Sequence, residues 1–185
     1  MRDARKMTFC CAVSSAVALG ASLGCSASEE PSSAPVPVEA SEPLAAAACS
    51  PLTISSIFAN GNDGNVPSNA IDGNLNTRWS REGVRSYITV DLGSAKTVCG
   101  VNVAWYQGNT RRNNFVLSLS TNGSTFRSML SGQSSGMTND RESYAFTPKS
   151  ARYVRVTVNG NTLNNWASIT ELQVPGEGGT PPTSS

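Results

Sequence analysis

The chain has 185 residues, with 14 lysines and arginines against 13 aspartates and glutamates, and no histidine. Near-neutral charge argues against nucleic-acid binding, which needs a basic stripe. The absence of histidine excludes Ser-His-Asp and Cys-His nucleophile systems and any zinc site built on imidazole.

Residues 1–24 read as an export signal. Arg2, Arg5 and Lys6 precede an uncharged run from Met7 to Leu23 that is too short and too rich in Ala, Gly and Ser for a membrane span. Ala21-Ser22-Leu23-Gly24-Cys25 resembles a bacterial lipobox, with Cys25 as the lipid-bearing residue, although Ser22 stands where that pattern prefers leucine. Secretion without a lipid is the alternative. Residues 25–48 are Ser, Ala, Pro and Glu with almost no large apolar side chain, the composition of a disordered linker. Residues 49–175 are long enough for one domain with a real core. Residues 176–185 have the Gly, Pro, Thr and Ser composition of a tail leading to a further domain. Setting aside three basic and five acidic residues before position 49 leaves 11 against 8, a mild surplus of +3.

Of the five cysteines, Cys10 and Cys11 leave with the signal and Cys25 is the lipid candidate. Cys49 and Cys99 remain, and in an exported protein such a pair suggests a disulfide.

Within the domain the dominant signal has period two. Ile88, Val90 and Leu92 alternate with Tyr87, Thr89 and Asp91, and Val101, Val103 and Trp105 alternate with Asn102, Ala104 and Tyr106. Phe115, Leu117 and Leu119 follow the same rule, as do Val154, Val156 and Val158. Ile54–Ala59, Thr125–Leu130 and Ser143–Phe146 are shorter candidates, and Asn122-Gly123 is a hairpin signal. Many short strands without a helical run predict an all-β antiparallel sandwich.

One loop concentrates oxygen chemistry. Asn69-Ala-Ile-Asp72-Gly-Asn74-Leu-Asn-Thr77-Arg-Trp79 turns sharply at Asp72-Gly73-Asn74, because glycine accepts positive φ and Asp and Asn bond their own backbone. Carbonyls, a carboxylate and a hydroxyl gathered this way suit Ca²⁺, which takes about six to eight oxygen ligands. An ordinary Asp-Gly turn before a core tryptophan is the plainer reading of the loop alone.

Four segments then occur in order: Asn69–Trp79, Tyr87–Gly93, Ala151–Val156 and Ser168–Leu172. The series, spanning Leu52–Val174, resembles the coagulation-factor-5/8 type C (discoidin) domain. More closely it resembles the family 32 carbohydrate-binding modules of bacterial polysaccharide-degrading enzymes such as alginate lyases. The resemblance implies a jelly-roll, galactose-binding-like β-sandwich. It also implies a structural Ca²⁺ held by the side chains of Asp72, Thr77 and Glu171 and by the carbonyls of Asn69, Asn74, Thr77 and Thr170. Without an ion, Asp72 and Glu171 would repel each other.

In that family, sugars bind on loops at one end of the sandwich. The matching loops are 60–68, 80–86, 107–113 and 159–166, and the candidate ligands on them are Asp63, Arg81, Arg111, Arg112, Asn165 and Trp166. Four arginines in two adjacent loops (Arg81, Arg85, Arg111 and Arg112) favour an acidic sugar, since guanidinium meets a carboxylate bidentately. A solvated basic rim is the plainer reading. Trp79 and Trp105 are expected in the core, and Trp166 is either a platform for a sugar ring or a lid on the sandwich end. Arg152 and Arg155 read as solvated or structural.

The expected function is non-catalytic binding of an acidic polysaccharide, for instance a polyuronate such as alginate, by an exported monomer attached to a membrane only through a lipid. The alternatives are a cell-surface adhesion or protein-interaction module and the binding-module remnant of a polysaccharide lyase. Glycan cleavage needs two acids flanking a groove. Asp72 and Glu171 are committed to the ion and Asp91 ends a strand, which leaves only Asp63 and Glu82 near the ligand loops. A phospholipid-binding discoidin domain would carry apolar spikes, whereas these loops are Gly, Asn and Arg.

Overall fold

The computed structural model describes residues 48–179, so the expected signal, the lipid candidate Cys25 and nearly all of the expected linker lie outside the described residues, as does the expected tail from Thr180. Nine strands follow one another: β1 (Ser50–Pro51), β2 (Ser56–Ala59), β3 (Trp79–Glu82), β4 (Ser86–Trp105), β5 (Asn113–Ser120), β6 (Arg127–Gln133), β7 (Arg141–Asn161), β8 (Trp166–Gln173) and β9 (Pro175–Gly176). A 3-10 turn, Pro67–Ala70, is the one helical element among the described residues. All pairings are antiparallel.

Two long strands build the sandwich. β4 breaks register between Asp91 and Lys96. Before the break it pairs with β2 and with Tyr153–Val158 of β7, which continues to β5 and β6. After the break it pairs with Arg141–Ala151 of β7, with β8 and, at Val98, with β9; β3 lies on the far side of β8. Each long strand therefore serves both layers. Gly93, at φ 77°, permits the bend, and its N–H donates to Asp91 Oδ1 at 2.8 Å.

The alternation read from the sequence is the core. Ile88, Val90, Leu92, Val101, Val103, Trp105, Phe115, Leu117, Leu119, Val154, Val156 and Val158 are all buried between the layers. Trp79 is fully buried with its indole N–H on Gly61 O, and Trp105 donates to the Tyr144 hydroxyl, both at 2.9 Å. Thr89 faces outward yet is equally buried, because Arg155 lies over it. The Arg155 Nε donates to Thr89 Oγ1 at 2.9 Å, and its guanidinium stands 3.9 Å from the Tyr87 ring centre and 3.6 Å from that of Phe126. Arg155 is structural, and so is Arg152, which forms a two-bond ion pair with Asp91 at 2.8 Å per bond.

That ion pair gives the bend a pH dependence. The Arg152 hydrogen bonds hold the Asp91 carboxyl below its ordinary range against the opposing effect of burial. A depressed folded-state pKa contributes stability above the unfolded value, about 3.9, that is lost as pH falls through the folded value. Acid melts should steepen in that window, and Asp91→Asn should flatten them; equal slopes for both proteins would refute the assignment.

Several elements differ from expectation. The expected strands Tyr87–Leu92 and Val101–Trp105 are one bent strand, as are Ser143–Phe146 and Val154–Val158. β6 starts at Arg127 rather than Thr125, because Asn122 Oδ1 accepts the N–H groups of Ser124 and Thr125 and holds both in the turn. β3 falls partly on residues expected as loop, since Trp-Ser-Arg-Glu shows no apolar alternation. Gly176 belongs to β9, one residue past the expected domain end. Cys49 and Cys99 are bridged, with Cα atoms 6.3 Å apart, tying the start of the domain to β4.

Candidate functional site

The loop after the 3-10 turn brings the expected oxygens together. Asp72 Oδ1 accepts the Asn74 N–H at 2.9 Å, while Asp72 Oδ2 and the Asn74 carbonyl take the Thr77 hydroxyl at 2.7 and 2.9 Å. From β8, Glu171 reaches across 98 residues to accept the Gly73 N–H at 2.6 Å, which brings its carboxylate to the turn that Asp72 opens. The Thr77 hydroxyl, above all, holds the Asp72 carboxyl below its ordinary range. Asn69 ties the loop back through its side-chain amide to Arg78 O, and Thr170 donates its hydroxyl to Ala104 O.

Hard oxygens from one loop and one strand fit a calcium ion. Asp72, Asn74, Thr77 and Glu171 are the residues whose side-chain and carbonyl oxygens meet at this turn, whereas the side chains of Asn69 and Thr170 are turned to Arg78 O and Ala104 O. No cluster of three or more His, Cys, Asp or Glu occurs among the described residues, so a metal site here depends on hydroxyl and carbonyl donors as well as on two carboxylates. The sequence did not point to Arg141. Its Nη2 lies 3.0 Å from Glu171 Oε2, placing a protein cation on a carboxylate that is 3% exposed.

At one end of the sandwich the expected ligand loops meet. Asp63 N–H donates to Ser80 O at 3.1 Å, and both Asp63 carboxylate oxygens accept the Ser80 hydroxyl at 2.9 Å. Burial opposes ionisation of Asp63, but hydrogen bonds from Asn65 and Ser80 outweigh it and lower the pKa. Gly83 N–H donates to Asn165 O at 3.1 Å, and Glu82 stands opposite Trp166 in the β3–β8 register. The Arg81 guanidinium donates to Ser86 Oγ at 3.2 Å and packs so closely on Gly61 that a Cβ there would fall 2.8 Å from Arg81 Nε. Arg112 is exposed, while its backbone is fastened to Thr162 by two hydrogen bonds at 3.0 and 3.2 Å. The connection between β7 and β8 is shorter than expected, only residues 162–165. Trp166 opens β8 half-buried.

Arg111 departs from its expected exposed position. It is 6% exposed, its Nε donates to Tyr106 O at 3.0 Å, and its guanidinium packs on the Tyr106 ring, which also carries Arg78. Burial, above all, lowers the Arg111 pKa, and repulsion from Arg78 acts in the same direction. Arg111 Nη2 and Arg78 Nε are buried without a hydrogen-bond partner among the described residues. The sequence offered one signal for this cluster, the outward parity of Tyr106 beside the core residue Trp105. The site thus separates into Arg81, Arg112, Asn165 and Trp166 at the loop end, an exposed Asp63 bonded to Ser80 and Asn65, and Arg111 turned toward Tyr106.

The profile of the F5/8 type C domain matches residues 46–172. The chain belongs to this family. Among solved structures, the F5/8 type C domain is similar to the CBM32 of AlyQ in complex with 4,5-unsaturated mannuronic acid, at 50% identity and a TM-score of 0.66 over 67% of this chain and 96% of that one. It is also similar to a truncated AlyQ with CBM32 and alginate lyase domains, at 46% identity and a TM-score of 0.69 over 76% of this chain but 36% of that one. A pectin-binding carbohydrate-binding module matches at 25% identity and a TM-score of 0.64 over 71% of this chain and 96% of that one. No curated protein sequence matches the F5/8 type C chain.

Proposed function

We propose that this domain is a non-catalytic carbohydrate-binding module whose loop end binds an acidic polysaccharide, a polyuronate such as alginate, with a structural Ca²⁺ at Asp72, Thr77 and Glu171. The observation that carries this reading is the meeting of loops 60–68, 80–86, 107–113 and 162–165, which gathers the cations Arg81 and Arg112 and the half-buried Trp166 at one end of the sandwich. Similarity to modules in complex with mannuronic acid or binding pectin supports an acidic sugar. Arg78 and Arg111 add buried donors without an acceptor close to the same loops. Asp63, the acid nearest these loops, is already occupied by Ser80 and Asn65, which argues against a cleaving pair. The disulfide fits an exported protein, and attachment through Cys25 would add avidity by presenting many copies on one surface.

A shallow site for a single sugar should bind weakly, roughly micromolar to millimolar, or about −8 to −4 kcal/mol. Affinity electrophoresis in gels containing alginate, polygalacturonate or neutral galactan tests it. Retardation by the uronate gels should decrease with salt, because exposed charges are screened over about 10 Å at 0.1 M. Arg112→Ala should weaken uronate binding more than galactan binding. Trp166→Ala should weaken both if the ring is a platform, and should chiefly lower the melting temperature if it is a lid. Retardation by galactan alone, indifferent to salt, would remove the acidic ligand; no retardation in any gel would remove the sugar.

A further inference from the structure

A cleft far from the loop end carries a second set of features that the proposed function does not use. It has a volume of about 440 Å³ and opens where β6, the last strand of its layer, faces the bend of β7. Arg127 stands opposite Leu119 in the β5–β6 register, and Lys149 stands opposite Val98 in the β4–β7 register. Directly opposed residues share a sheet face, so both cations project from the core-facing side of their strands. They are nevertheless exposed, whereas Leu119 and Val98 are buried. The two layers part at this edge, leaving two cations on the lips of an open cleft above Leu119 and Met129.

The chemistry is selective. Neither Arg127 nor Lys149 forms a hydrogen bond or ion pair through its side chain among the described residues, where the ion pairs are Arg141–Glu171 and Arg152–Asp91. No carboxylate lines the cleft, while hydroxyls do, including those of Thr125, Ser128 and Ser150. Two uncompensated cations, several hydroxyls and an apolar floor complement a sugar ring that has one apolar face, several hydroxyls and a carboxylate. β5 runs from Asn113, beside the ligand loops, to Ser120 in the cleft wall, a span of about 23 Å at roughly 3.3 Å per residue.

We propose that the Arg127–Lys149 cleft is a second binding site for an acidic saccharide, so that one domain holds uronate residues at both ends. The choice of uronate rests on the function proposed above, whereas the cleft and its charge do not. A module with two ends can join two polymer chains, or hold one chain at two points with a higher effective concentration.

The test is a titration of the ¹⁵N-labelled protein with a short oligomannuronate and, separately, with a neutral oligogalactose. Amides of Thr125–Met129 and Lys149–Ser150 should shift with oligomannuronate and saturate independently of those at Arg112 and Trp166. The double substitution Arg127→Ala/Lys149→Ala should weaken the cleft response roughly tenfold, as expected for two exposed charge contacts, and leave the loop-end response intact. Both side chains are exposed, so the variant is expected to fold. Cleft shifts without loop-end shifts would uphold the cleft and reject the loop-end reading. Absence of cleft shifts at millimolar oligomannuronate would overturn the proposal, as would equal shifts with oligogalactose. It would also fall if the double variant bound normally but self-associated, because the two cations would then serve to protect an edge strand.

Discussion

Chelation of calcium should lower the melting temperature of the domain by on the order of 10 °C. An ion that binds only the folded state stabilises it by mass action, about 3–4 kcal/mol when present at a few hundred times its Kd, and in a domain of this size each kcal/mol moves the melting point by several degrees. Asp72→Ala should abolish the response, since the Asp72 carboxylate gathers the Asn74 amide and the Thr77 hydroxyl at the turn that Glu171 reaches through Gly73. Arg141 makes the expectation more specific. Its contact with Glu171 supplies a positive charge that remains when the ion leaves, so the stripped loop keeps part of its compensation. Arg141→Met should therefore widen the gap between melting curves in calcium and in chelator, because the apo form loses the one side-chain partner that Glu171 has outside the loop among the described residues. It should also tighten calcium binding by removing a like charge. Identical curves with and without chelator in the unsubstituted protein would end the calcium assignment.

Reducing the Cys49–Cys99 bridge should cost about 4 kcal/mol. The bridge closes a loop across a sequence separation of 50 residues, and the chain entropy returned to the unfolded state on opening a loop of that size gives roughly this value at 25 °C. Cys99→Ser, or reductant in the denaturation experiment, should shift the urea midpoint with little change in slope if the unfolded state stays equally expanded. Mass spectrometry under non-reducing, denaturing conditions should find neither thiol free. A stability unchanged by reductant would show that β1 and β9 alone hold the start of the domain.

The core was legible because a strand half-buried in a sandwich has an unambiguous period. Every inward residue read on the four main strands is buried, from Ile88 to Val158. Strand continuity was not legible: the bend at Gly93 and the register break after Asp91 look like a turn between two strands until the partner strand is seen to bend with them. The meeting of Asp72 with Glu171 is a contact between positions far apart in one chain, and only the family resemblance indicated it. Arg111 and Arg112 are chemically identical neighbours, and the structure sends one under Tyr106 and the other to solvent. Arg141, Arg127 and Lys149 escaped notice for a related reason. Parity says which face a side chain takes, but not whether that face is covered there, and at a sheet edge it is not.

The bridge also decides how the domain would bear a mechanical load. Tension applied through the residues before Cys49 enters at Cys49 and passes by a covalent bond to Cys99 in β4, bypassing the two-residue strand β1 and the four-residue strand β2. β4 is paired along most of its length with β7 and also with β2, β8 and β9. A pull from that side therefore loads the most extensively bonded strand of the sandwich instead of peeling a short edge strand away one hydrogen bond at a time. With the bridge oxidised, a pull is met first by β4 and its partners; with the bridge reduced, the same pull would start at β1.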